Sequence, residues 1–211
     1  MEEPIINTDY EEFLRRKLVL ADNYGYDIDD SEVSAVLKPP QRDIVKWAVG
    51  RGRAAIFAAF GLGKTMIQLD TVRLILKKSG GGDGLIVTPL GIRQEFKRDA
   101  EILGMTTRFV RNNDEISQLD FISGDARIYL TNYESIREGK LDPTQFKVIS
   151  LDEAAILRGF GGTKTFRELM RIFEGRSTYR FVATATPSPN EFIELLSYAA
   201  FLDVMEVSQA K

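Results

Sequence analysis

Six short apolar runs recur along the chain: "RAAIFAAF" (53–60), "GLIVTP" (84–89), "TTRFV" (106–110), "RIYLTN" (127–132), "FKVISLDE" (146–153) and "TYRFVATATP" (178–187). They show little polar alternation, as expected of strands covered on both faces. Helical spacing separates most of them, in "KTMIQLDTVRLILKKSG", "IRQEFKRDAEIL" and "TKTFRELMRIFE", and "PNEFIELLSYAAFL" follows the last. The pattern predicts a three-layer α/β/α domain with about six or seven strands in a mostly parallel sheet. Upstream, "DYEEFLRRKLVL" reads as a short amphipathic helix and "ADNYGYDIDDSE" as an exposed acidic loop. "KPPQ" marks a boundary and a helix start. The helix "QRDIVKWAVG" brings Ile44, Val45, Trp47 and Ala48 near one face, with Gly50 as its C-cap. The expected division is an acidic leader over residues 1–36 and one domain over 37–211.

Charge supports that division. Residues 1–36 carry ten acids and three bases, whereas the remainder carries 21 acids and 25 bases. The body is mildly basic, which permits a phosphate-binding face. Cysteine and histidine are both absent, so disulfides, thiolate or imidazole metal sites and a histidine base are excluded. Catalysis has to use carboxylates, Lys, Arg, hydroxyls, backbone N–H groups or a borrowed metal ion. No run approaches the roughly 18 apolar residues of a membrane span, and the start "MEEPIINTDYEEF" is acidic, without an apolar core. The expectation is a cytoplasmic protein.

The chemistry concentrates at strand ends. "AAFGLGKT" (58–65) follows a strand and opens a helix, the context of a P-loop. Its first expected glycine is Ala58, which adds one methyl. Gly61 and Gly63 let backbone N–H groups turn toward phosphate oxygens, joined by those of the helix start; the cradle runs through Gly61, Leu62, Gly63, Lys64, Thr65 and Met66. Lys64 would reach the β and γ phosphates, and Thr65 would ligate Mg²⁺. "VISLDEAA" ends an apolar strand in two carboxylates. Asp152 suits the water shell of Mg²⁺, and Glu153 is placed to orient or deprotonate the attacking water. Lys64, Asp152 and Glu153 are therefore the candidate catalytic residues, with Thr65 and Asp152 as metal ligands. In "ATATPSPN", Thr184 and Thr186 could relay phosphate state to a neighbouring surface.

Taken in order, Gln41, "GLGKT", "VTPL", "LTNYES", "LDEAA" and "ATATP" resemble the first RecA-like domain of superfamily 2 helicases and translocases. "FGLGKT", "TNYES" and "TATPSPN" resemble the Swi/Snf branch. The run "PQRDIVKWAVGRGRAAIFAAFGLGKT … DEAAILRGF … TATPSPNEFIEL" is similar to the phage-type DEAD/DEAH helicases found beside DNA methylases. The resemblance covers roughly residues 37–202. It implies a bacterial or phage protein that uses ATP and Mg²⁺ and moves on nucleic acid, expected to be DNA. Gln41 would read adenine. Thr88, Pro89, Thr131 and Asn132 would touch the nucleic acid backbone, and Thr184 and Thr186 would couple ATP state to it; Arg93, just past the same strand end, is expected to join that surface on position alone. Ala155 stands where that family has the DEAH histidine, and Ala185 replaces a frequent glycine. No second RecA-like domain, with its arginine finger, is read before residue 211. The expectation is a chain cut short of that domain and nearly inactive alone. The alternatives are an ATP-dependent recognition or clamp module that does not move, and a P-loop kinase or small NTPase. Gln41, "TNYES" and "ATATP" speak against the second.

Overall fold

Apolar strands without alternation need cover on both faces, and the chain supplies it. The computed structural model describes residues 23–117, 126–154, 170–171, 179–187 and 194–204. Six strands, β1 (Arg53–Phe57), β2 (Asp83–Val87), β3 (Thr107–Phe109), β4 (Arg127–Thr131), β5 (Val148–Asp152) and β6 (Tyr179–Thr184), form one sheet in the order β1-β6-β5-β2-β4-β3. Every pairing is parallel. The two most apolar runs occupy central places: β5 and β6 are buried at every residue, while the edge strands β1 and β3 keep partly exposed positions.

Helices α1 (Pro39–Arg51), α2 (Lys64–Lys78) and α3 (Arg93–Ile102) cover one face. Their Val45, Ile75 and Phe96 meet Ile86, Val148 and Phe181 of the sheet. The short helices α4 (Asn113–Ser117) and α5 (Tyr133–Arg137) follow β3 and β4, and α6 (Glu194–Phe201) follows β6. On the opposite face, Tyr133, Tyr198 and Phe201 pack with Leu85, Leu151 and Val182. Alternate residues of each strand thus enter different cores, which is why the runs read as continuously apolar. Helix α2 lies so close to β2 that a side chain at Gly84 would collide with Val72.

Three local readings change. Helix α1 continues through Gly50 and ends at Gly52, whose φ of 68° and N–H bond to the Ala48 carbonyl make it the cap. Its buried face is Val45, Ala48 and Val49, whereas Trp47 lies on the rim, 48% exposed. The acidic loop expected over 21–32 has no buried residue among those described, but it is tied to the body. Val33 is buried in the core, Tyr26 hydroxyl bonds Tyr179 hydroxyl at 2.6 Å, and Ser34 N–H donates to Asp70. The acids turn outward and pair with lysines, Asp30 with Lys46 and Glu32 with Lys78. The helix read over 9–20, most of 163–174, and Ala155 lie outside the described residues.

Candidate nucleotide site

A parallel sheet puts the carboxyl ends of all its strands at one edge, where ligands collect in α/β folds. The loop after β1, Thr88 after β2, Asn132 after β4, Asp152 at the end of β5 and Thr184 at the end of β6 all lie there. Gly61 and Gly63 take φ of 80° and 74°, the left-handed region that glycine enters without strain. Gly63 has a second reason to lack a side chain, because a Cβ there would sit on the Gln41 amide nitrogen. That nitrogen donates to the Leu62 carbonyl at 2.9 Å, and Gln41 Oε1 accepts from Lys38 N–H at 2.8 Å. Gln41 therefore ties the start of α1 to the phosphate loop. Ala58 is buried and absent from the described residues with positive φ, so its methyl fits an ordinary backbone. Met66 packs partly buried against the core.

Lys64 opens α2, and its Nζ lies 3.5 Å from Asp152 Oδ1 and 3.5 Å from Glu153 Oε2. Asp152 is 1% exposed. Gln68 Nε2 donates to its Oδ1 at 2.9 Å and Thr88 Oγ1 to its Oδ2 at 3.2 Å. Ser150 Oγ donates to the other end of the Gln68 amide at 2.8 Å. Tyr133 hydroxyl donates to the Asp152 carbonyl oxygen at 2.7 Å. Burial raises the Asp152 pKa, against the opposing pull of Lys64, Gln68 and Thr88. Burial, then the charges of Asp152 and Glu153, hold the Tyr133 phenol well above its ordinary value, so it stays a donor. Glu153 has φ of 49°, a left-handed backbone that costs a non-glycine residue of order 1 kcal/mol or more. Thr65 Oγ1 is buried and lies 3.4 Å from Glu95 Oε1, which it faces as a donor.

Thr184 is buried on β6, one residue beyond the Ala183 that pairs with Asp152, and its Oγ1 accepts from Thr186 N–H at 3.1 Å. Thr186 is exposed. The candidate residues from the phosphate loop, the acidic strand end and the threonine strand end thus meet at one sheet edge. Gln68, Tyr133 and Glu95 are additions. Gln68 could have been found from its place one helical turn after Lys64, a polar residue in an otherwise buried face.

Residues 34–189 match the family model described as type III restriction enzyme, res subunit (ResIII). The chain belongs to this family. No curated protein sequence matches it. Among solved structures it resembles the Sulfolobus solfataricus SWI2/SNF2 ATPase core in complex with dsDNA, with TM-score 0.69 and 23% identity over 88% of this chain and 40% of that one. It also resembles the UvsW helicase from bacteriophage T4 (0.57, 15%, 93% and 66%) and the Pyrococcus furiosus Hef helicase domain (0.58, 16%, 78% and 36%). At these identities the likeness shows the fold. The chain spans 40% of the first of these structures, so it corresponds to a part of it. This ResIII domain is a superfamily 2 RecA-like ATP-binding domain; the apolar runs predict a mostly parallel sheet, and every pairing observed is parallel.

The residues expected to touch nucleic acid separate into two groups in the ResIII domain. Thr88 and Thr131 are 0% exposed and Asn132 is 9% exposed. Thr88 donates to Asp152, Thr131 Oγ1 donates to the Val110 carbonyl at 2.8 Å, and Asn132 Oδ1 caps α5 by accepting from Ser135 N–H at 2.8 Å. These three side chains are turned to buried groups of the domain. Pro89 and Arg93 remain partly exposed at the same edge. No helix among the described residues is long and apolar enough to cross a membrane.

Proposed function

We propose that this domain binds ATP with Mg²⁺ and, with a second RecA-like domain, hydrolyses it to move along nucleic acid, DNA by preference. The carrying observation is that Lys64 and the Asp152–Glu153 pair, far apart in sequence, face one another within 3.5 Å at the strand-end edge. A lysine shared by two carboxylates is a cation ready to be transferred to a polyphosphate, and the glycines before it aim backbone N–H groups at the same anion.

The donor set fits Mg²⁺. Thr65 offers a hydroxyl and Asp152 a carboxylate, all hard oxygens, and such sites need only one or two protein ligands besides phosphate. Bound there, the ion would neutralise charge on the β and γ phosphates. Gln68, Thr88 and Tyr133 hold Asp152 in place. Glu153, turned out of the strand by its left-handed backbone, would orient and accept a proton from the attacking water. Gln41, braced on the loop, would present its amide to adenine after releasing Leu62. Thr184 and Thr186 would carry the state of the site toward the nucleic acid. The similar Sulfolobus solfataricus ATPase core, whose structure is a complex with dsDNA, supports a nucleic acid track.

Calorimetry with Mg²⁺ and ATP tests the reading. Binding by the chain and its loss in Lys64→Ala are expected; equal affinity in the variant would sink it.

A further inference from the structure

The edge strand β3 carries a cluster that the nucleotide site does not use. A cleft of about 170 Å³ lies between α3 and β3, lined by Arg93, Gln94, Lys97, Thr107, Phe109 and Leu130. No carboxylate lines it. The Arg93 guanidinium lies 5.3 Å from the Phe109 ring centre, and that of Arg111 lies 5.9 Å from it. One aromatic ring thus seats two cations, an arrangement that holds guanidinium groups without neutralising them. Several cations elsewhere are ion-paired: Lys46 with Asp30, Arg53 with Asp203, Arg73 with Asp70, Lys78 with Glu32 and Arg127 with Asp83. Arg93, Lys97 and Arg111 make no ion pair with a described residue.

The cleft is also built to stay in place. Val110 N–H donates to the Leu130 carbonyl at 2.9 Å, and buried Thr131 returns a bond to the Val110 carbonyl. The chain is therefore clamped to β4 immediately before Arg111. Glu115 accepts from the Arg111 backbone N–H at 2.8 Å, which fixes the turn and spends that carboxylate on the main chain. Small-molecule pockets run to about 300–1,000 Å³. This one is smaller and suits a single phosphate group with the rest of its ligand outside.

We propose that Arg93, Lys97 and Arg111, organised on Phe109, form a phosphate grip for the backbone of the nucleic acid track. The proposal rests on the reading of the domain as an ATP-driven nucleic acid motor. It extends the track from the Pro89 corner to the outer edge of the sheet, and gives Thr131 an indirect part, positioning the segment that presents Arg111. A grip made of cations on phosphate oxygens carries no base information.

The test is fluorescence anisotropy of the 211-residue chain with a short labelled single strand and its duplex across a salt series, with nucleotide binding measured in parallel. The variant replaces Arg93, Lys97 and Arg111 with Gln. Each neutralised phosphate contributes about 0.7–0.9 to the slope of log affinity against log salt, so the variant should lose about two of that slope and bind more weakly. Arg93→Lys with Arg111→Lys should retain the slope. A control replacing the ion-paired Lys46, Lys78 and Lys140 with Gln should keep both affinity and slope. Unchanged binding in the Gln variant, or an equal loss in the control, overturns the grip and leaves the motor reading standing. Nucleotide binding without nucleic acid binding by the unaltered chain also overturns the grip. Failure to bind either ligand overturns the motor reading itself.

Discussion

Gln68 holds Asp152 from below: its Nε2 donates to Asp152 Oδ1 at 2.9 Å while its Oε1 accepts from Ser150. All three residues are buried. Both ends of the amide are engaged, one with the candidate metal ligand and the other with the strand that carries it. Replacing Gln68 with Leu leaves a buried carboxylate short of a donor and a buried hydroxyl short of an acceptor. An unsatisfied buried group costs about 1–3 kcal/mol. Urea unfolding should show a loss of that size, and calorimetry should show weaker Mg²⁺–ATP binding. An unchanged unfolding midpoint would mean the network is not strained by its removal.

Gly63 and Gln41 should be energetically coupled. Gly63→Ala places a methyl against the Gln41 amide at a left-handed φ of 74°. The backbone part of the penalty, about 1–3 kcal/mol, is independent of Gln41; the steric part is not. Gly63→Ala should therefore cost less in a Gln41→Ala background, with a coupling of at least about 0.5 kcal/mol in a double-mutant cycle. Additive changes in unfolding free energy would contradict the packing.

Asp152 gives the domain a pH signature. Burial raises its folded-state pKa above the ordinary 3.8, so just above that value the folded domain holds a proton that the unfolded chain has released. The stability this contributes is complete below the ordinary pKa and is lost as pH rises through the raised folded value. Asp152→Asn should remove that decline in a series of thermal melts. Mg²⁺–ATP binding needs the charged form, so its affinity should rise with pH through the same window, with proton release visible in buffers of different ionisation enthalpy. A flat affinity profile there would rule out Asp152 as the ligand.

Hydrolysis by residues 1–211 alone should be negligible. Under the proposed mechanism the arginine finger belongs to the second RecA-like domain, and such a finger is worth about 10³–10⁵ in rate. In a chain carrying both domains, Glu153→Gln should keep ATP binding and abolish turnover. Vigorous, nucleic-acid-stimulated turnover by the 211-residue chain would contradict the division of labour.

Local chemistry was legible from residue order. Each strand is a contiguous apolar run, the P-loop is one turn of glycines before Lys-Thr, and the acidic pair ends a strand; periodicity and backbone freedom act over a few residues. Trp47 and the helix cap were misplaced because a single helix does not say which part of its apolar arc meets the sheet. The true cap, Gly52, is set by its close approach to Gly25.

The sequence by itself determined the layered fold, the strands and the residues able to handle a phosphate. Only the tertiary structure decided which partners those residues have. Thr88, Thr131 and Asn132 look like surface contacts in a linear reading because strand-end hydroxyls and amides suit phosphates. In the fold they face buried carboxylate, carbonyl and amide groups that water cannot reach, and satisfying those groups outweighs exposure. Phe109, Arg93 and Arg111 come together for the same kind of reason. Phe109 and Arg111 are near neighbours in sequence, but Arg93 opens α3, and only the return of the chain from α3 into β3, paired in parallel with β4, brings its guanidinium over the ring.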